Sequence, residues 1–264
     1  MNLELFIARR IAHNGSGNRP GVMVRIAVVA VALSVTVMIL ALAVIMGFKR
    51  EITDRVTGFS AQVEVADLRS AGSIESVPVL RSEQLERTIR SAGEVVRLTP
   101  YAVKGGVVKM PDAILGVMLK GVDGGYEWSF FRDHLLEGEL PRVGDSIRTK
   151  EILISRSVAQ EMGLAPGDKV EMLFVESEKS PRRDRFKVSG IYATGMDEFD
   201  RSVAMTDLRN VQRLADWSSD EVSGYEVTLA DFSQAEDFSR RLNDMLLDLS
   251  LIHISEPTRL ALIS

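Results

Sequence analysis

The sequence predicts an α+β fold placed behind a single membrane-crossing helix. Three observations predict it. The run Ile26–Phe48 holds 23 consecutive residues without a charge. The residues after it mix alternating strand-like segments and amphipathic helical ones, without the regular order of a doubly wound parallel sheet. Capping residues stand where helices should begin and glycines where they should end.

The first twelve residues, MNLELFIARRIA, place Leu3, Phe6, Ile7 and Ile11 on one helical face and Arg9 and Arg10 towards the other. This pattern suits a helix lying in the membrane interface; docking on another helix in the cytoplasm is the simpler alternative. The glycines and proline of HNGSGNRPG, 13–21, then redirect the chain. As a helix, Ile26–Phe48 spans ~34 Å at about 1.5 Å per residue, enough to cross a hydrocarbon core of roughly 30 Å. Within it only Ser34 and Thr36 are polar. A cleaved secretory signal would be shorter and would end in a small-residue cleavage pattern. Here the run ends in Gly47-Phe48-Lys49-Arg50. Arg9, Arg10, Arg19 and Arg25 before the span, against Lys49, Arg50 and Arg55 after it, give a small preference for a cytoplasmic N-terminus.

KREITDRVTGF extends the helix as a stalk, with Ile52, Val56 and Phe59 on one face. Ala61–Val65 alternates like a strand, and 67–79 reads as a loop. Ser82 caps a helix over 83–92, ended by Gly93. Val95–Leu98, Val103–Met110 and Ile114–Val122 are expected strands, as is EILIS, 151–155, which leads into a helix over 156–163. After the turn Ala165-Pro166-Gly167-Asp168 come strands Lys169–Val175, Phe186–Tyr192 and Ser202–Met205. Asp207 caps an amphipathic helix to Trp217, Tyr225–Leu229 is a strand, and Asp231 caps a last helix, Phe232–Leu247.

The 264 residues carry 32 basic and 37 acidic side chains, a net charge of -5, which is not the basic field of a nucleic-acid binder. There is no cysteine, hence no disulfide, thiolate ligand or cysteine nucleophile, and this suits a bacterial envelope domain. His13, His134 and His253 lie far apart and match no zinc spacing. No GxxxxGK[ST] loop or GxSxG elbow occurs; Gly105-Gly106 and Gly124-Gly125 read as turns. The carboxylates of DEFD, 197–200, could hold a cation, but a solvated loop is the simpler reading. Tyr126, Trp128, Phe130 and Phe131 read as core rather than as a binding patch. The residues therefore predict no catalytic, cofactor or metal site, and the chain does not read as an enzyme.

Several segments carry a resemblance. FIARRIA near the start, a span leaving as GFKREI, the series EILISRSVAQEMGLAPGDKV, and then RFKVSGIYATGMDEFDRSVAMTDLRNVQRL are similar to ABC-transporter permeases of the FtsX/MacB type, most of all the lipoprotein-releasing permeases LolC and LolE. The resemblance covers residues 1 to about 248 and is most specific at GIYATGMDEFD, 190–200. It implies a cytoplasmic and interfacial segment, 1–21, a transmembrane helix, 22–48, and a periplasmic MacB-like core domain, 49–248. It further implies residence in the bacterial inner membrane, a separate cytoplasmic ABC ATPase subunit, a second permease chain, the same or related, and a lipoprotein substrate passed to a periplasmic chaperone. In LolC-type permeases a loop between two strands hooks the chaperone. Its counterpart by position is Glu176–Arg185, ESEKSPRRDR, with Ser180, Pro181, Arg182 and Arg183 as the contact residues; it is highly charged and lacks an apolar tip, so a plain polar hairpin loop is the competing reading.

LSLIHISEPTR, 249–259, resembles a translated sequencing adapter. On that reading 249–264 is an artefactual tail and the chain a truncated permease whose later spans are missing. Two other readings stay open: an FtsX/MacB-type exporter of a peptide or drug, and a single-pass envelope receptor or scaffold.

Overall fold

The computed structural model describes residues 3, 6, 22–59, 61–70, 76–109, 114–144, 146–176, 179–247 and 253–255. It has an apolar N-terminal helix followed by a mixed α/β domain. Contacts divide the chain into two units, residues 1–54 and 55–264.

Helix α1 (Val22–Phe59) is continuous over 38 residues, so the expected span and stalk form one helix. Its stretch Val24–Phe48 is long and apolar enough to cross a membrane. The large side chains along it, Ile39 and Leu40 among them, are exposed, as they must be where lipid is the solvent. Thr36 Oγ1 donates to the carbonyl of Ala32 at 2.8 Å, so this hydroxyl does not face hydrocarbon unpaired. Leu3 and Phe6 are helical and exposed; the rest of the expected interfacial helix and the 13–21 turn lie outside the described residues.

The second unit is built on one mixed sheet. Its strands are β1 (Val63–Ala66), β3 (Val95–Lys109), β4 (Ile114–Val122), β5 (Leu135–Gly138), β6 (Glu151–Ser155), β7 (Lys169–Glu176), β8 (Lys179–Tyr192), β9 (Val203–Asp207), β11 (Gly224–Leu229) and β12 (His253–Ser255). A separate pair joins β2 (Val79–Leu80) to β10 (Glu221–Val222). The main order is β12-β1-β11-β3-β4-β9-β6-β8-β5, and β7 pairs with both β8 and β3. The pairings β3-β4-β9-β6-β8-β7-β3 therefore close on themselves. Gly106 lets β7 approach β3: a Cβ there would stand 2.6 Å from the Phe174 ring.

Strand alternation sorts the core onto two faces. In β6, Ile152 and Ile154 join the larger cluster while Leu153 joins the smaller. The larger cluster gathers α2 (Glu83–Ser91), α4 (Arg156–Met162), α6 (Leu208–Ala215) and α7 (Ala235–Leu247) through Leu85, Val158, Val211 and Phe238. Helix α6 lies close on β4 because residue 121 is glycine; a Cβ there would meet Val211 Cγ2 at 2.8 Å. The smaller cluster holds Val122, Phe131, Leu153, Tyr192 and Met205, with Tyr126, Trp128 and Phe130 packed against it.

The expected caps form. Ser82, Asp207 and Asp231 accept the N–H groups of Leu85, Arg209 and Ser233, and Gly163 ends α4 at φ 62; Ser155, not expected as a cap, accepts the N–H of Val158. Three differences have physical reasons. Val95–Lys109 is one strand rather than two, because Pro100 stands beside β11 alone, before β4 pairing begins at Tyr101. The charged segment expected as a loop over 176–185 is mostly strand, with Pro181 next to a bulge between Phe174 and Glu176. Residues 126–138, read only as an aromatic group, supply α3 (Ser129–Asp133) and β5. At the open edge of β1, β12 pairs antiparallel with Val65 opposite Ile254. Main-chain pairing of this kind selects no side chains, so it carries no information about what segment 249–264 is. Residues 248–252 and 256–264 lie outside the described residues.

Candidate functional site: the charged hairpin

The β7–β8 hairpin carries all four expected contact residues, in β8. Even positions Asp184, Phe186 and Val188 are buried, while Arg183, Arg185 and Lys187 point outward. Pro181 and Arg183 are exposed and Arg182 is half-buried. For Ser180 only the backbone is described. Residues 177 and 178 lie outside the described set.

Arg182 is not free at a tip. Its Nη2 pairs with Asp216 Oδ2 at 2.5 Å and its Nη1 donates to the Arg213 carbonyl at 3.2 Å. That places a cation on the C-terminal end of α6, where the helix dipole favours one. Arg183 lies 3.7 Å from Glu171, which also pairs with Arg185 at 3.1 Å. Exposed pairs of this kind contribute about 0–1 kcal/mol each and are easily exchanged for a partner's carboxylates.

Beneath them sits Asp184, 7% exposed. Its carboxylate accepts from Lys150 Nζ at 2.5 Å and from the Arg213 guanidinium. Burial, then the neighbouring Arg213 and Arg148, push Lys150 below the ordinary lysine value. Burial, then Arg148 and Arg182, push Arg213 down likewise. One carboxylate thus organises a crowd of cations. The chemistry of such a surface suits acidic groups.

The other sequence candidates resolve as structure. In α5 (Asp197–Asp200), Asp200 is 4% exposed, so the solvated-loop expectation is corrected at this residue. Its carboxylate takes N–H groups from Thr194 and Gly195 and the Thr194 hydroxyl at 2.8 Å, which closes the turn. Among the described residues no group of three or more His, Asp or Glu is placed to hold a metal ion. The Tyr126, Trp128, Phe130 and Phe131 rings pack on each other, Tyr126 edge-on to Trp128 at 4.9 Å, and Phe131 meets Tyr192 at 5.1 Å. His134 Nδ1 contacts the Phe130 carbonyl at 2.8 Å.

One polar cluster carried no sequence signal. Lys120 and Glu226 pair at 2.5 Å with side chains only 12% and 14% exposed, and Tyr101 donates to Glu64 beside them. Burial, then Glu226, raise Glu64 above the ordinary glutamate range, against the pull of Lys120. Burial pushes Tyr126 up to about 12, with Glu226 adding to the rise against the pull of Lys120 and Arg97. Glu64 sits opposite Glu226 across strands, a meeting that only the β1–β11 register produces.

The fold matches a known class. A profile of the MacB-like periplasmic core domain matches residues 26–245, and the chain belongs to that family. Among its relatives is the lipoprotein-releasing system transmembrane protein LolC of Xylella fastidiosa (strain 9a5c), 27% identical over 212 residues, 76% of this chain and 48% of that protein. LolE of Haemophilus influenzae is 23% identical over 269 residues, 96% of this chain and 59% of that one. The chain thus spans about half the length of the curated LolC relatives it matches. The periplasmic region of MacB from Actinobacillus actinomycetemcomitans superposes with a TM-score of 0.50 at 14% identity, over 80% of this chain and 96% of that one, and shares the fold.

Proposed function

We propose that this chain is part of an ABC-transporter permease that couples ATP hydrolysis in a separate cytoplasmic subunit to lipoprotein release from the bacterial inner membrane. The observation that carries this reading is an apolar helix, Val24–Phe48, leading into a MacB-like core domain, with likeness to LolC and LolE running through both. On this reading the N-terminus is cytoplasmic, residues 49–248 are periplasmic, and a second permease chain, the same or related, completes the membrane unit. The hairpin residues Ser180, Pro181, Arg182 and Arg183 meet the periplasmic chaperone. The chemistry of the hairpin supports an acidic partner surface, since its outward groups are cationic.

Two measurements test this. Sequencing the source DNA past codon 248 should show an open frame with further apolar spans; a stop soon after that codon sinks the transporter reading. In a pull-down with the purified chaperone, Arg182→Ala/Arg183→Ala, which removes only exposed ion pairs, should weaken binding while the far-UV spectrum stays unchanged. Undiminished capture removes the hairpin from the mechanism and leaves the family assignment intact.

A further inference from the structure

The register of three strands lines up an unusual row of charges. Glu151 on β6 is opposite Lys187 on β8, and Lys187 is opposite Lys169 on β7. Residues paired across strands share a face, so the two lysines stand directly against each other, an arrangement that costs stability when nothing neutralises it. The next rung pairs Arg185 with Glu171. From the loop after β5, Arg142 reaches over Glu151: its Nη2 lies 2.7 Å from Oε1, and its main-chain N–H donates to Oε2 at 2.9 Å.

Both carboxylates near the row are already engaged. Glu151 is committed to Arg142, which holds it below the ordinary glutamate range, and Glu171 is shared by Arg183 and Arg185. Lys169 and Lys187 have no hydrogen-bond or ion-pair partner for their ammonium groups among the described residues. Arg142, Lys169, Arg185 and Lys187 face Glu151 and Glu171, an excess of two positive charges. Arg142, Lys150, Glu151, Lys169, Arg185 and Lys187 line a groove of about 540 Å³. That volume lies within the roughly 300–1,000 Å³ of small-ligand sites, and its concavity suits a compact anion better than an extended acidic peptide.

We propose that this groove binds a phosphate-bearing dianion or headgroup, held between the Lys169 and Lys187 ammonium groups, with the positive charge of Arg185 at its flank. The chemistry is shared by free phosphate and by an anionic phospholipid headgroup. The site is distinct from the 180–183 contact and does not depend on the transport reading.

The test uses the full chain in a neutral detergent at fixed ionic strength, titrated by calorimetry. One arm adds inorganic phosphate; the other adds short-chain phosphatidylglycerol below its micelle concentration, with short-chain phosphatidylcholine as its control. Saturable binding in either of the first two arms is expected, lost at least ~10-fold in the Lys169→Gln/Lys187→Gln double variant and unchanged in Lys109→Gln. Tighter binding of phosphatidylglycerol than of phosphate assigns the headgroup; equal or weaker binding assigns the free anion. The double variant relieves like-charge repulsion, so its melting temperature should hold or rise, which separates loss of binding from loss of fold. No saturable binding in either arm, or equal loss in Lys109→Gln, overturns the proposal.

Discussion

Replacing Asp207 probes the joint at which β9 becomes α6. Its carboxylate accepts the Arg209 N–H at 2.9 Å as helix cap, pairs with the Arg209 guanidinium at 2.5 Å, and accepts the Gly144 N–H at 3.1 Å. The last bond ties the helix start to the 123–144 segment beside the smaller core, at a turn only glycine fits: Gly144 has φ +73, and a Cβ there would meet Gly124 Cα at 2.6 Å. Asp207→Ala loses the cap, worth about 1 kcal/mol. It also leaves a part-buried N–H unpaired, at about 1–3 kcal/mol. The expected loss is about 2–4 kcal/mol, or about 6–12 °C in melting temperature for a domain of this size. Asp207→Asn has a single acceptor oxygen, so it keeps the cap on the Arg209 N–H and recovers about 1 kcal/mol of the alanine loss, but it leaves the Gly144 N–H that the second oxygen served without its acceptor. Burial raises this carboxyl, but the Arg209 guanidinium and the two N–H donors outweigh it and hold it below the ordinary aspartate value. A depressed carboxylate stabilises above its unfolded value, and that contribution fades as pH falls through the folded one. Urea melts of the detergent-solubilised chain at pH 7 and at successively lower pH, followed by far-UV circular dichroism, measure both effects. An alanine cost under about 1 kcal/mol would refute the assignment of Asp207 as the tie.

Glu64 gives the opposite sign. Its folded value is raised, so the folded state binds the proton more tightly, and stability falls as pH rises through that value. Glu64→Gln should raise the melting temperature at neutral pH and flatten its pH dependence just above the ordinary glutamate range; an unchanged pH profile would show that Glu64 is not the group responsible. Phe238, fully buried against Gly93 with the ring 2.9 Å from where a Cβ would stand, should cost about 3–5 kcal/mol as alanine in the same urea melts.

What the sequence made legible follows from range. The charge-free run of α1, the caps Ser82, Asp207 and Asp231, and the alternation of β1 are properties of neighbouring residues, and all appear in the structure. The extension of β8 to Lys179 has no local signal because its arginines and Pro181 read as loop, while Asp184 is the buried side chain described in it. Continuity through Pro100 depends on which side β11 and β4 pair, which no local pattern reports. The candidate contact residues lie in β8 rather than in a loop between two strands, and the engagement of Arg182 has no local signal: its partner Asp216 lies 34 residues on. The Lys169–Lys187 row was equally invisible, because it exists only once three strands take their register.

The closed circuit of strands has a mechanical consequence. A hairpin fixed along one side peels open, one hydrogen bond at a time, when its end is pulled. Here β7 is bonded to β8 on one side and, at Val107 and Val108, to β3 on the other. A tug on the charged end therefore loads several rungs in shear at once and passes into β3, the longest strand, which carries it on to β11 and β1. The hairpin behaves less like a flap than like a handle set into a hoop.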